Sequence, residues 1–259
     1  MSSSWEVLRA EELSAEPLEA IFANEIAGVR IPGFVGREAC SAASAAVQAN
    51  GFDYYETVDP PLGRIGIAQY DHRTDKPTYF RLAAQAHETR QRIFAAAGDP
   101  VELVIDALGA AWPNKVGLAT EDAYGAYFAG IVRVTVGGIR MHCDWGPQDA
   151  PGWLIDSVDG QLAWNIFYDL SETGGQTTVY DRPWQPELDD HADPAAFGFY
   201  QAAAVADRAR YEISPGRGEL VVFSSRNLHS VAPATGAGTR LSASSFVGRL
   251  PGGELALWS

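Results

Sequence analysis

The chain has 259 residues, of which 46% are hydrophobic and seven are Trp, and it carries a formal net charge of −14. That acidic balance, without Lys/Arg clusters, argues against a nucleic-acid partner, and the lack of a membrane-length apolar run or a signal core in Met1 to Glu12 points away from membrane and export routes. The length sits near the upper end of what one core can organise, which predicts a single domain over 1–259; the two cysteines, Cys40 and Cys143, suggest no disulfide framework and fit a reducing cytoplasm.

Residues 1–123 read as a mainly helical part. Leu18, Ile21, Phe22 and Ile26 recur at helical spacing between Pro17 and Ala27, and the extended piece Val29 to Phe34 follows. Arg37 to Asn50 is Ala-rich, lacks Pro and Gly, and stops at Asn50-Gly51, which predicts a helix with a C-terminal stop. Phe52 to Tyr70, with Pro60-Pro61, reads as loop and short strand. A long helix is predicted from about Lys76 to Ala97, ended by Gly98. A second helix starts with Asp99 as N-cap and Pro100 at its first position, and Pro113 closes it.

From 124 to 250 the pattern changes to strands. Ala129 to Val136, Gln161 to Leu170, Gln176 to Tyr180, Gly218 to Phe223, Leu228 to Val231 and Leu241 to Val247 are strand-like. Between them, 182–209 holds three Pro and little periodicity, and reads as an insertion or lid with one or two short helices. Helices first and many short strands later predict an α+β fold whose core is a strand barrel or sandwich.

The chemistry gathers at Arg140-Met141-His142-Cys143-Asp144-Trp145-Gly146, which the sequence places at the end of the 129–136 strand. A His and an Asp two residues apart can converge on one point, and imidazole plus carboxylate suits a non-haem ferrous ion. His229 is the downstream candidate for a third ligand, and Arg240 follows it by eleven residues. His-x-Asp alone is a weak signal. His72, His87 and His191 read as bland: one helical, two in polar loops.

His-x-Asp, a distant His and then Arg-x-Ser about one strand later resembles the Fe(II)- and 2-oxoglutarate-dependent oxygenases. Phe128 to Arg133 and Gln161 to Asn165 are similar to a branch acting on free amino acids and related metabolites, which includes hydroxylases and radical halogenases. The resemblance covers roughly residues 124–250. It implies a double-stranded β-helix, a cupin-like jelly roll, with the N-terminal helices packed on it. It also implies Fe(II) held by His142, Asp144 and His229, 2-oxoglutarate anchored through Arg240, and O2 as oxidant, with succinate and CO2 released. In the halogenases of that group a Gly or Ala replaces the carboxylate ligand; here Asp144 is retained, so hydroxylation of an unactivated C–H bond of a small molecule is expected rather than halogenation.

Strand period supports the cofactor assignment independently. Arg240, Ser242, Ser244 and Phe246 share one face of their strand, and an Arg followed by two hydroxyls makes sense if that face lines a polar cavity. The planar guanidinium can grip a carboxylate with two parallel hydrogen bonds, and Ser242 is a second contact to the same group. Asn165 and Thr177 could reach the cofactor from middle strands. Ser244 and Phe246 are candidate substrate contacts. Arg140 could hold a substrate carboxylate or make a rim ion pair. Trp145 and Trp153 could wall the pocket or fill core. Asn227 could order the surroundings of the distal His. Two other readings stay open: a cupin-like metal-binding or sensor protein without turnover, which gives no reason for Arg240, and an oxygenase acting on a protein or carrier-bound side chain.

Overall fold

A computed structural model describes residues 5–55, 59–196 and 198–259. The reading of Met1 to Glu12 therefore falls partly outside the described residues, as do residues 56–58 of the 52–70 segment and residue 197 of the 182–209 segment.

Four helices form where composition and capping place them. Ala15–Phe22 is shorter than expected, because Asn24 adopts φ 59° and the Ala27 amide donates to the Glu6 carbonyl, turning the chain into the Gly28–Ile31 strand. Arg37–Asn50 matches its prediction and stops at Gly51, whose φ is +71°. Lys76–Phe94 is capped by Asp75, which accepts from the Thr78 amide at 3.2 Å. Pro100–Ala111 is capped by Asp99, which accepts from Val101 at 2.9 Å. Among the described residues, no helix is long and apolar enough to cross a membrane.

Apart from Thr120–Glu121, which pairs with Gly125–Ala126 in a separate two-stranded sheet, the strands build two facing sheets. The larger has ten strands, and its central order runs Gly28–Ile31, Leu220–Ser224, Gly160–Gly174, Ala234–Arg249, Ile131–Thr135, Leu62–Ile65. The smaller runs Arg210–Ile213, Thr177–Pro183, Asn227–Val231, Ile139–His142. From Ile131 to Arg249 the chain passes repeatedly between the two sheets, which makes the roll.

Residue parity then divides the large sheet. Val132, Val134, Trp164, Ile166, Leu241 and Ala243 face the helices and join one apolar cluster with Leu18, Val47, Phe94 and Val104. Each such fully buried large side chain contributes about 1.5–3 kcal/mol, so the outer face holds the helices on. The inner face is thereby free to carry polar groups.

One expectation needs correcting. The His142 stretch does not end the 129–136 strand; it forms a separate strand, Ile139–His142, in the opposite sheet. Gly137 and Gly138 make the crossing. Gly138 has φ +82°, and a Cβ there would lie 2.5 Å from the Val231 carbonyl oxygen, so a side chain would block the turn. Strands that were not anticipated include Val7–Arg9, Arg210–Ile213, Val116–Leu118 and Leu255–Trp258, the last two pairing in parallel at the sheet margin.

Candidate metal and cosubstrate site

Pairing of Ile139–His142 with Asn227–Val231 sets His142 directly across from His229. Their ring centroids lie 4.2 Å apart, and the Asp144 Oδ2 sits 3.7 Å from His142 Nε2 and 3.5 Å from His229 Nε2. The three potential ligand atoms all fall within 4.8 Å of one another. Each imidazole is oriented from behind by the carbonyl two residues earlier: His142 Nδ1 by Arg140 and His229 Nδ1 by Asn227, both at 2.8 Å. A carbonyl only accepts, so each Nδ1 carries a proton, which leaves Nε2 as the ring atom of each histidine aimed inward at a metal.

Burial, and then the neighbouring His229, draw His142 down to about 4. Burial works to raise the Asp144 carboxyl, but His142 and His229 outweigh it and hold it at about 2. At neutral pH a carboxylate and an imidazole lone pair thus face each other with no proton between them, an arrangement a divalent cation would relieve.

The turn carrying Asp144 is tied down by its backbone. Its amide donates to the Ser225 carbonyl at 2.9 Å, and its carbonyl accepts from Gln161 Nε2 at 3.0 Å and Ser225 Oγ at 3.2 Å. Gln161 Oε1 also accepts from the Gly146 amide at 2.8 Å. Gly146 is required here, since a Cβ would come within 2.5 Å of the Ile155 carbonyl.

Behind the triad, Arg240 is 4% exposed and faces Thr135 across the sheet. Its Nε donates to the Gly175 carbonyl at 2.9 Å, while its terminal nitrogens reach only the hydroxyls of Thr135 and Thr177, each at 3.3 Å. Among the described residues no carboxylate pairs with it. Burial, then the charge of Arg133, lowers its pKa to about 10. Ser242, fully buried on the same strand face, leaves its Oγ without a hydrogen-bond partner. A buried cation and an orphaned hydroxyl side by side fit a missing carboxylate.

The remaining candidates divide. Asn165 lies opposite Ser244 on the inner face, and Ser244, Phe246 and Ser242 share that face as predicted by parity. Thr177 touches the Arg240 guanidinium. Trp153 does not reach the site: it is 4% exposed, packed among Tyr79, Phe80 and Tyr127, with its Nε1 donating to the Arg73 carbonyl. Trp145 also belongs to that buried cluster, under the Arg226 guanidinium at 4.7 Å. Arg140 is exposed at the rim, paired with Asp193 and lying 5.0 Å over the Phe199 ring. The buried Asn227 donates its amide to Asn24 at 2.7 Å.

The 182–209 segment mostly backs the ligand strands. Leu188, Ala204 and Val205 pack with Met141, Cys143 and Leu228, which alternate with the ligands and point the other way. Phe199 is the part of it that meets His142, edge-on at 6.2 Å. Cys143 is no ligand: burial and the charge of Asp144 push its thiol well up, and its Sγ lies 3.9 Å from the Tyr200 hydroxyl. Sequence reasoning missed Arg133, Thr135, Gln161 and Gly175. A charged residue inside the apolar run 131–136 was the available signal for Arg133.

The chain resembles known proteins over most of its length. Residues 3–250 match the family model described as carrier-protein-independent halogenase WelO5. The L-gamma-glutamyl-L-propargylglycine hydroxylase of Streptantibioticus cattleyicolor is 32% identical, over 99% of this chain and 97% of that protein. The leucinostatins biosynthesis cluster protein S of Purpureocillium lilacinum is 35% identical, over 80% of this chain and 90% of that one. Among solved structures, an N-substituted L-amino acid dioxygenase from Burkholderia ambifaria superposes with a TM-score of 0.63 at 20% identity, covering 93% and 90% of the two chains. That likeness establishes the shared fold.

Proposed function

The chain belongs to the WelO5 family of iron(II)- and 2-oxoglutarate-dependent enzymes, and from that premise we propose that it hydroxylates an unactivated C–H bond of a small amino-acid-type molecule. The observation that carries the proposal is the pairing, inside one roll, of three converging acceptor atoms with a buried Arg240 that lacks an anion.

His142, Asp144 and His229 would hold the iron, and the donor set of two imidazoles and one carboxylate suits it. Bound there with 2-oxoglutarate and O2, iron supplies oxidative decarboxylation to succinate and CO2 coupled to oxidation of the substrate. The protein's part is placement. Arg240 would neutralise the far carboxylate of the keto acid, Ser242 Oγ would donate to it, and the Thr135 and Thr177 hydroxyls hold the guanidinium fork in plane. Phe167, 5.0 Å from the Arg240 guanidinium carbon, and Phe223, edge-on to His229, keep water from the anchoring groups.

Asp144 favours hydroxylation over halogenation, because its carboxylate takes the position a halide would need and repels an anion. The substrate class follows the Streptantibioticus relative, an L-gamma-glutamyl-L-propargylglycine hydroxylase and so an enzyme of a γ-glutamyl-linked amino acid. The free thiols of Cys40 and Cys143 favour a reducing, cytoplasmic setting.

The test is succinate formation over a panel of free amino acids and γ-glutamyl dipeptides with Fe(II), 2-oxoglutarate, ascorbate and chloride. A panel member should raise succinate above the uncoupled background and gain one oxygen by mass spectrometry. Chlorinated product as the main outcome would overturn the role given to Asp144.

A further inference from the structure

A second arginine points into the roll, and neither the metal triad nor the keto-acid anchor uses it. Arg133 interrupts the otherwise apolar Ile131–Thr135 strand and shares the inward parity of Thr135. Its backbone lies across from Ser242, and its guanidinium donates to Ser244 Oγ at 2.5 Å. Ser244 is 2% exposed, whereas Arg133 itself keeps part of its surface open. Among the described residues, no carboxylate lies within ion-pair reach of Arg133. Its other cross-strand neighbour, Arg64, is engaged elsewhere, bound to Asp71 and lying 4.3 Å over the Tyr55 ring.

Position and charge narrow what Arg133 can do. It stands two residues from Thr135, whose hydroxyl the Arg240 guanidinium reaches, and across from Ser242 on the inward face of the roll. Iron(II), the Asp144 carboxylate, a dianionic keto acid and Arg240 together carry no net charge. Arg133 would then remain as one uncompensated positive charge on the cavity wall. A half-buried guanidinium in that state calls for one more anion, and its planar fork suits a carboxylate. Asn165, opposite Ser244 on the next strand, brings an amide to the same face.

We propose that Arg133, held by Ser244 and flanked by Asn165, binds the carboxylate of the substrate and so makes the enzyme selective for acids over their uncharged counterparts. The inference rests on the iron and 2-oxoglutarate reading above. Arg133 faces the cavity while Ser244 fixes the base of its guanidinium, so the substrate would approach carboxylate first, with the carbon to be oxidised turned toward the triad.

Anaerobic calorimetry on the iron(II)-loaded protein tests this apart from turnover. 2-Oxoglutarate is titrated first; free L-amino acids and γ-glutamyl dipeptides follow at saturating 2-oxoglutarate, each as the acid and as its C-terminal amide. Wild type should bind at least one acid about tenfold or more tighter than its amide, and Arg133→Gln should reduce that preference to about threefold or less. The 2-oxoglutarate dissociation constant of Arg133→Gln should stay within about threefold of wild type. Arg133→Lys, which keeps the charge but not the fork, should retain part of the preference and serves if the Gln variant does not fold.

A loss of 2-oxoglutarate binding with the acid preference intact would assign Arg133 to the cosubstrate and overturn the proposal. So would an acid preference untouched by the substitutions, or one absent from wild type. If wild type takes up neither iron nor 2-oxoglutarate, the broader reading falls as well, and the first titration alone reveals it.

Discussion

Two buried arginines in this molecule look alike by exposure, 5% for Arg90 and 4% for Arg240, yet their surroundings are opposite. Arg90, in the helical wrap, is fully partnered: Asp99 lies 3.0 Å away, the Ala129 carbonyl accepts at 2.6 Å, and His87 Nδ1 lies at 3.0 Å. Asp99 also caps the Pro100–Ala111 helix, so the pair ties two helices to the segment entering the Ile131–Thr135 strand. Arg240, in the roll, has a carbonyl and two distant hydroxyls and no anion. A buried charge with its counter-ion built in belongs to the fold. One without a counter-ion is an unfavourable element of the empty protein, and it marks where a charged ligand goes.

Substitutions sharpen this contrast by separating stability from ligand binding. The largest effect is expected at the triad: His142→Ala or His229→Ala should abolish succinate formation and bring bound iron by metal analysis to near zero. Both variants should melt no lower than the metal-free wild type, since each removes one of the converging lone pairs. Arg90→Met should do the reverse. It leaves Asp99 buried without its partner, which costs about 3–5 kcal/mol. Thermal unfolding should show a clearly lowered Tm, while the 2-oxoglutarate dissociation constant of the folded fraction stays unchanged.

Gly175→Ala probes the seat of Arg240. Gly175 has φ +73°, and a Cβ there would lie 3.0 Å from Arg240 Cδ. The backbone conformation alone should cost about 1–2 kcal/mol, and displacement of the guanidinium should raise the apparent KM for 2-oxoglutarate more than that for substrate. The smallest effect is expected for Arg140→Ala, whose pair with Asp193 is a rim contact with Arg140 40% exposed. Such pairs are worth about 0–1 kcal/mol, and neither KM should move appreciably. A large rise in the substrate KM would return Arg140 to the site.

What could be read in the sequence was whatever short-range geometry dictates. The His-x-Asp spacing, the distance from His229 to Arg240 and the strand parity of Arg240, Ser242 and Ser244 all follow from local rules, and these residues occupy one interior. Helix limits set by Asp99, Pro100 and Gly51 were legible for the same reason. What was not legible depends on partner choice across the chain. Nothing local says that Ile131–Thr135 and Ile139–His142 join opposite sheets, though Gly137-Gly138 marks the crossing in hindsight. Val116–Leu118 finds its partner in Leu255–Trp258, far along the chain. Trp153 sits close to the ligands in sequence but lies in a cluster assembled by the Lys76–Phe94 helix. Arg133 was overlooked because an apolar run with one charge reads equally well as an edge strand.

The most direct test of the central claim is the dissociation constant of 2-oxoglutarate for the anaerobic, iron(II)-loaded protein, measured by calorimetry for wild type and Arg240→Ala. Removing one partner of a desolvated, bidentate charge pair costs about 2–5 kcal/mol, so binding should weaken by about 30-fold or more, with iron stoichiometry and Tm retained. Arg240→Lys should recover only part of the loss. An Arg240→Ala protein that binds 2-oxoglutarate as wild type does would contradict the account, because the buried cation would then have no ligand to explain it.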